Sequence, residues 1–422
     1  MSKIKLIKAE EILDSRGNPT IETTVVLNDN TTASAACPSG ASTGTYEAVE
    51  LRDKDEKRFR GQGVLKAVDN VQNIIAPKLI GMDPTKQSEI DRAMIDLDGT
   101  QNKEKLGANA MLSVSMAVSK AGAKSSMLPL FLYLRQFIRK ENLQLKIPTP
   151  LFNLINAGKH SDCGLDIQEF IVIPASSRSY SEALSIGASI YKFLKDSLKT
   201  NNLSTLVGDE GGFAPKLNNN MEALALLKDA VSLSQHKLGF DVFLGLDAAS
   251  NSFYKGGQYN IKDKPTSLSS NELITYYDDI RKKFGLLYLE DGLSEDDWEG
   301  WTKLSSEFSQ NTIVTGDDLT VTNLYRLQMA INKKAISGII IKPNQIGTVI
   351  EALAVVEVAR QAGLKIIVSH RSGETNDDFI ADFAVAVSAD YVKFGAPARG
   401  ERVAKYNRLL HIEQQFKEIQ NK

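Results

Sequence analysis

The runs FLGLD (243–247), LLYLE (286–290), TIVTGD (312–317) and GIIIK (338–342) are apolar segments that each end on a charge: Asp247, Glu290, Asp317 and Lys342. Each is about the length of a strand buried on both faces, and helical periodicity fills the intervals, so the chain reads β-α-β-α with charges at strand ends. Two later strand ends carry His370 and Lys393, and the successive spacings from Asp247 onward are 43, 27, 25, 28 and 23 residues. Most match one strand plus one helix, and only a closed parallel barrel sustains that rhythm for so long. The longer first interval holds YKGGQYNIKDKPTSLSS (254–270), a polar, Gly-containing insertion. Proteins of this class place their chemistry at the carboxyl ends of strands.

The region before the barrel has a different pattern. KIKLIKAEEI (3–12), TIETTVVL (20–27) and TTASAAC (31–37), with Asn28, Asp29 and Asn30 between the last two, predict a small antiparallel meander. PSGASTGTYEA (38–48) is rich in small residues and predicts a mobile lid or binding loop. From Gly63 to about Phe137 the periodicity is helical, and KIPTP (146–150) marks a change of regime. The reading is an α+β domain over residues 1–140 and a β/α barrel over 141–422, an α/β protein overall. In the second part, LFNLIN (151–156) and LDIQEFIVIP (165–174) read as strands, and residues 179–199 and 220–238 as amphipathic helices.

Composition narrows the function. The chain has 422 residues, with 50 Lys+Arg against 52 Asp+Glu and a net charge of −2, which argues against a nucleic-acid partner. Cys37 and Cys163 fit no zinc or redox spacing and read as reduced thiols. The charged N-terminus and the absence of any long apolar run predict a soluble, cytoplasmic protein with no membrane association.

Acids after strands often cap the next helix. Three in succession, followed in the next unit by a lysine, point instead to carboxylates that share a hard divalent cation such as Mg²⁺. Lys342, beside that cation, is a candidate base. A free lysine is neutral only to roughly 0.04% at pH 7, so the role needs a depressed pKa, for which Lys393 and the metal would supply the repulsion. Upstream, VGDEGGFAP (207–215) presents Glu210 among glycines, and NAGKHSDCGLDIQEF (156–170) contributes His160 and Glu169, with Gln168 on the opposite strand face. SHRSGET (369–375) offers Ser369, His370, Arg371 and Ser372 as an anion site. No P-loop and no well-placed GxGxxG occurs, so SGASTG (39–44) reads as a loop that brings Ser42 to a metal rather than as a nucleotide cradle.

Taken together, EILDSRGNPT, PSGASTG, LDGTQNK, LGANA, DIQEF, VGDEGGFAP, EDDWEGW, DDLTVTN, IKPNQIGT, SHRSGET and GAPARGERVAKYN, in this order, resemble the enolase family along essentially the whole chain. The resemblance implies an N-terminal α+β domain and a C-terminal barrel whose first strands depart from strict βα alternation. It implies reversible dehydration of 2-phosphoglycerate to phosphoenolpyruvate in glycolysis and gluconeogenesis. Two Mg²⁺ ions would take part, the second arriving with substrate, and the chain would form a homodimer or larger homo-oligomer. By the same resemblance Asp247, Glu290 and Asp317 hold the first ion, Ser42 joins the second, and Lys342 is the base. Glu210 is the acid, assisted by Glu169, while Arg371 and Ser372 bind phosphate and Gln168, His160 and Lys393 help surround the substrate. An enolase-fold protein kept for binding or scaffolding is the alternative. The sequence departs from the commonest family pattern at Ala157, Gly292 and Phe394, where glycine, proline and threonine are usual. Loss of positive φ at Ala157, a freer backbone at Gly292 and added bulk at Phe394 predict altered loop mobility or kinetics before any loss of activity.

Overall fold

The computed structural model describes residues 2–40, 44–139, 143–161 and 163–420. Three N-terminal strands, β1 (Ile4–Leu13), β2 (Pro19–Leu27) and β3 (Thr32–Ala36), form an antiparallel meander in that order. Asn30, at φ 66, takes the left-handed turn conformation that Asn tolerates. Helices Gln87–Asp98 and Ala108–Ser125 follow, and the second is buried along most of its length between the meander and the barrel. Its Ala- and Ser-rich sequence suits that position, because small side chains let neighbouring elements approach closely.

The closed barrel contains β4 (Thr149–Asn156), β5 (Glu169–Pro174), β6 (Val242–Asp247), β9 (Leu286–Glu290), β10 (Ile313–Gly316), β11 (Gly338–Ile341), β12 (Lys365–Ser369) and β13 (Tyr391–Lys393). The insertion after Asp247 supplies the remaining pair, a two-stranded ribbon of β7 (Tyr254–Lys255) and β8 (Gln258–Tyr259). β5 runs antiparallel to both β4 and β6, whereas every other barrel pair is parallel. This reversal decides where the chemistry lies. The first residue of β5 comes to the same rim as the last residues of its neighbours, and the register aligns Glu169 with Asp247 and Asp247 with Glu290.

Outer helices start where their caps dictate. Ser179 with Glu182 and Ser269 with Glu272 form capping boxes, and Asn219 and Asn323 accept from first-turn amides. Leu151, Ile171, Ile173, Tyr288, Ile340 and Ile367 fill the barrel interior below the rim. The N-terminal elements are tied to the barrel by buried polar contacts: Asp91 accepts from the Ile350 amide at 3.0 Å, and Lys103 pairs with Glu351 at 2.9 Å. Among the described residues no helix is long and apolar enough to cross a membrane. Both cysteines are buried free thiols.

Candidate active site

Alternation along a strand sends Glu290 and Lys393 inward and their neighbours outward. Lys393 Nζ reaches Glu290 at 2.8 Å, Asp247 at 3.0 Å and Glu169 at 3.2 Å, so a single ammonium gathers three carboxylates. Burial disfavours its charge, but Asp247, Glu169 and Glu290 outweigh burial and hold its pKa well above the usual lysine value. Asp317, just past β10, pairs closely with Lys342, just past β11, and its other oxygen accepts from Gln345 Nε2 at 3.0 Å. A polar cavity at this rim is lined by Glu47, His160, Gln168, Glu169, Glu210, Asp247, Asp317, Asp318, Lys342, Ser369, His370, Arg371, Ser372 and Lys393.

Nearly all the residues singled out in the sequence therefore meet at one place. Glu290 is buried beneath the cavity against Lys393, and Ser42 lies outside the described residues. Gln168 differs from expectation. β5 begins only at Glu169, so strand alternation does not govern residue 168, and Gln168 lines the same cavity as Glu169 rather than the opposite face. Lys342 also differs. Burial would lower its pKa, as would Arg371 and Lys393, but Asp317 outweighs them and the pKa is raised. The charge of Asp317 thus favours the protonated form of Lys342.

On the other wall, Glu210 is held by Asn153 Nδ2 at 3.0 Å and faces His370 Nε2 at 3.3 Å and His160 Nε2 at 3.5 Å. Arg402 contacts His370 Nδ1 at 2.8 Å. A guanidinium can only donate, so Nδ1 accepts and Nε2, the nitrogen nearer Glu210, carries the proton. Burial, helped by Arg402, pushes the His370 pKa down to about 3, and the ring is neutral. Burial acts against ionisation of Glu210, yet His160 and His370 overcome it and keep its pKa well below the ordinary range. His160, pushed down by burial but up by Glu210 and Glu169, ends with a raised pKa. The Glu210 loop is shaped by close approach: a Cβ on Gly208 would lie 2.7 Å from Asn156 Cβ, and Gly211 has φ +87. Asn156 Oδ1 accepts from the Gly212 amide at 3.0 Å and fixes the turn.

Residues 369–375 sit where the N-terminal elements meet the barrel. Arg371 forms a two-pronged pair with Glu47, at 2.9 and 3.3 Å, and contacts Asn344 at 3.1 Å. Ser39 and Gly373 exchange backbone hydrogen bonds of 2.7 and 2.9 Å. Thr45 and Tyr46 contact Glu295 and Asp296, so the described ends of the loop are anchored on the barrel.

Acids outweigh cations at this rim. Burial first, and then Asp247, push Glu290 well above the carboxylate range, while burial and Asp318 do the same to Asp291. Burial with neighbouring acids raises Glu169 and Asp318 to about 7. Such crowding of buried oxygen ligands fits a hard divalent cation, which would relieve the repulsion. Within 4.8 Å of one another lie ligand atoms of His160, Glu169 and Glu210, and of Asp291, Asp317 and Asp318. Asp247 and Glu290 are instead bridged by Lys393, while Asp317 pairs with Lys342.

Sequence reasoning passed over Asp291, Gln345, Glu47 and Arg402 as individual residues. Asp291 accepts from the amides of Asp317 and Asp318, both at 2.9 Å, and so orients the Asp317 turn. The acid adjacent to Glu290 was its only signal. Each of the three departures fits its local backbone or packing. Ala157 is extended, at φ −145, and needs no positive φ. Phe394 points away from the cavity and packs 5.9 Å from the Tyr406 ring. Gly292 lacks positive φ, and an added Cβ would press on Leu304 and Leu289 at 3.1 and 3.2 Å. Ala157→Gly should therefore lower stability by about 0.4–1 kcal/mol through the unfolded chain and leave activity unchanged, which urea melts and steady-state assays would check.

Fold and site together define an α/β-barrel protein whose rim carries paired acids and lysines suited to moving protons beside a cation. Residues 4–134 match the family model of the enolase N-terminal domain, and residues 144–421 match that of the enolase C-terminal TIM barrel domain. The chain belongs to the enolase family, and divalent metal use follows from that membership.

Proposed function

We propose that the protein is a carbon–oxygen lyase that reversibly dehydrates 2-phosphoglycerate to phosphoenolpyruvate with Mg²⁺, as in glycolysis and gluconeogenesis. The observation that carries this reading is one cavity with two separately held proton-transfer groups: Lys342 beside Asp317, and Glu210 among His160, His370 and Asn153. Family membership supports it.

The C2 proton of 2-phosphoglycerate lies next to a carboxylate, and removing it builds a second negative charge. Asp247, Glu290 and Asp317 would hold Mg²⁺, which when bound supplies electrostatic stabilisation of that charge. Lys342, relieved of its pairing with Asp317, takes the C2 proton. Lys393 stays protonated and adds positive charge at the cavity floor. Arg371, with Ser372 beside it, receives the phosphate, and a guanidinium fork suits that anion. Glu47 now fills that fork, so the phosphate and the loop carboxylate compete for it.

Departure of the C3 hydroxyl requires a proton. Glu210 itself is ionised, whereas His160, 3.5 Å away, is the better proton holder and Glu169 titrates near 7. The acid is thus the Glu169–His160–Glu210 group acting together, with Glu210 the member that meets the leaving oxygen. A second Mg²⁺ that enters with the substrate, with Ser42 on the loop among its ligands, belongs to the same proposal. So do a cytoplasmic location and a homodimer or larger assembly, the latter measurable by light scattering.

A substrate panel tests the reading. With Mg²⁺ the protein should dehydrate 2-phosphoglycerate and leave glycerate, which lacks the phosphate, untouched. Equal turnover of glycerate would remove Arg371 and Ser372 from substrate recognition, and dehydration of another carboxylate alone would replace the proposed substrate.

A further inference from the structure

Tyr288 is a fully buried tyrosine in the barrel interior, two residues before Glu290 on β9 and therefore on the same inward face, one layer lower. Its ring lies over Gly245, its register partner on β6, where an added Cβ would come within 2.8 Å of Tyr288 Cβ. The glycine thus makes room for the ring. The hydroxyl donates a short hydrogen bond to Glu290 Oε2, and Lys393 Nζ takes Oε1 at 2.8 Å. The two donors differ in kind. Lys393 is a charge shared with Asp247 and Glu169, whereas Tyr288 is a neutral donor whose ring packs in one cluster with Ile171, Ile173 and Ile340.

The geometry points to Tyr288 as a positioning residue for the cation site, its hydroxyl pinning Glu290 Oε2 in the barrel interior so that Glu290 offers a single oxygen, Oε1, to a cation. This rests on the reading of Glu290 as a metal ligand. One-oxygen coordination suits Mg²⁺, which demands near-octahedral geometry, while Ca²⁺ readily accepts a carboxylate through both oxygens. Tyr288 thereby favours Mg²⁺ over Ca²⁺. Hydrogen-bond partners of metal-binding carboxylates typically contribute 10–100-fold to affinity.

The test is calorimetric titration of the purified full-length protein with MgCl₂ and, separately, with CaCl₂, without substrate. Tyr288→Phe keeps the ring and removes the hydroxyl. Mg²⁺ affinity should fall about 10-fold or more and Ca²⁺ affinity much less, lowering the Mg²⁺/Ca²⁺ affinity ratio at least about fivefold. Ile340→Val thins the same interior layer without touching the hydroxyl and should keep the parent's ratio. If Tyr288→Phe does not fold, Tyr288→Met, whose flexible side chain fills the space, should give the same shift. An unchanged ratio in the tyrosine variants, or an equal shift in Ile340→Val, overturns the role of Tyr288 and leaves the functional reading standing. A parent that binds neither cation overturns both.

Discussion

Lys342→Ala should lower 2-phosphoglycerate turnover by roughly 10²–10⁴-fold, about 3–5 kcal/mol of barrier, with the fold intact. The lysine sits at the rim just past β11, inside the cavity, and pairs with Asp317. Removing it deletes the group proposed to take the C2 proton while Gln345 still holds the other Asp317 oxygen at 3.0 Å. Cation binding should persist or strengthen, because the variant lacks the ammonium that occupies Asp317. Steady-state kinetics with circular dichroism would measure the loss. Turnover within about threefold of the parent would place the base elsewhere.

The second large effect separates the two halves of the reaction. Glu210→Gln preserves the shape of the side chain and an oxygen that can accept from Asn153. It removes the carboxyl proposed to meet the leaving hydroxyl, so product formation should fall by roughly 10²–10⁴-fold. In the proposed reaction, proton removal at C2 falls to Lys342 and does not need Glu210. In D₂O the variant should therefore still exchange the C2 proton of 2-phosphoglycerate, visible by proton NMR, while releasing almost no water. Loss of exchange in step with product formation would mean that Glu210 acts before or during proton removal.

The barrel was legible because strands buried on both faces read as continuous apolar runs, and the charges that end them have no packing reason to recur. Asp247, Glu290, Asp317, Lys342 and Lys393 could be picked out in this way, and they meet at one rim. The reversal of β5 was not visible in its own sequence. EFIVIP is apolar throughout, and such a run carries no direction. That reversal is nonetheless what brings Glu169 into line with Asp247. Residues acting through backbone amides, such as Asp291 on the Asp317 turn, were equally hidden, because their partners are set by a turn geometry that spacing does not encode. The net effect of charge on Lys342 was also beyond the sequence. Lys393 lowers its pKa as expected and Arg371 adds to that, but the close contact with Asp317 dominates, and a distance of that kind exists only in the folded chain.

The proposed reaction is removal of the C2 proton followed by loss of the C3 hydroxyl, in a site whose crowded acids suit a cation. A single NMR time course on the parent protein with 2-phosphoglycerate in D₂O tests it most directly. With Mg²⁺ present, phosphoenolpyruvate should grow toward equilibrium as the C2 proton signal is lost, and chelation should halt both. No product with Mg²⁺, or product formation that continues unchanged after chelation, would contradict it.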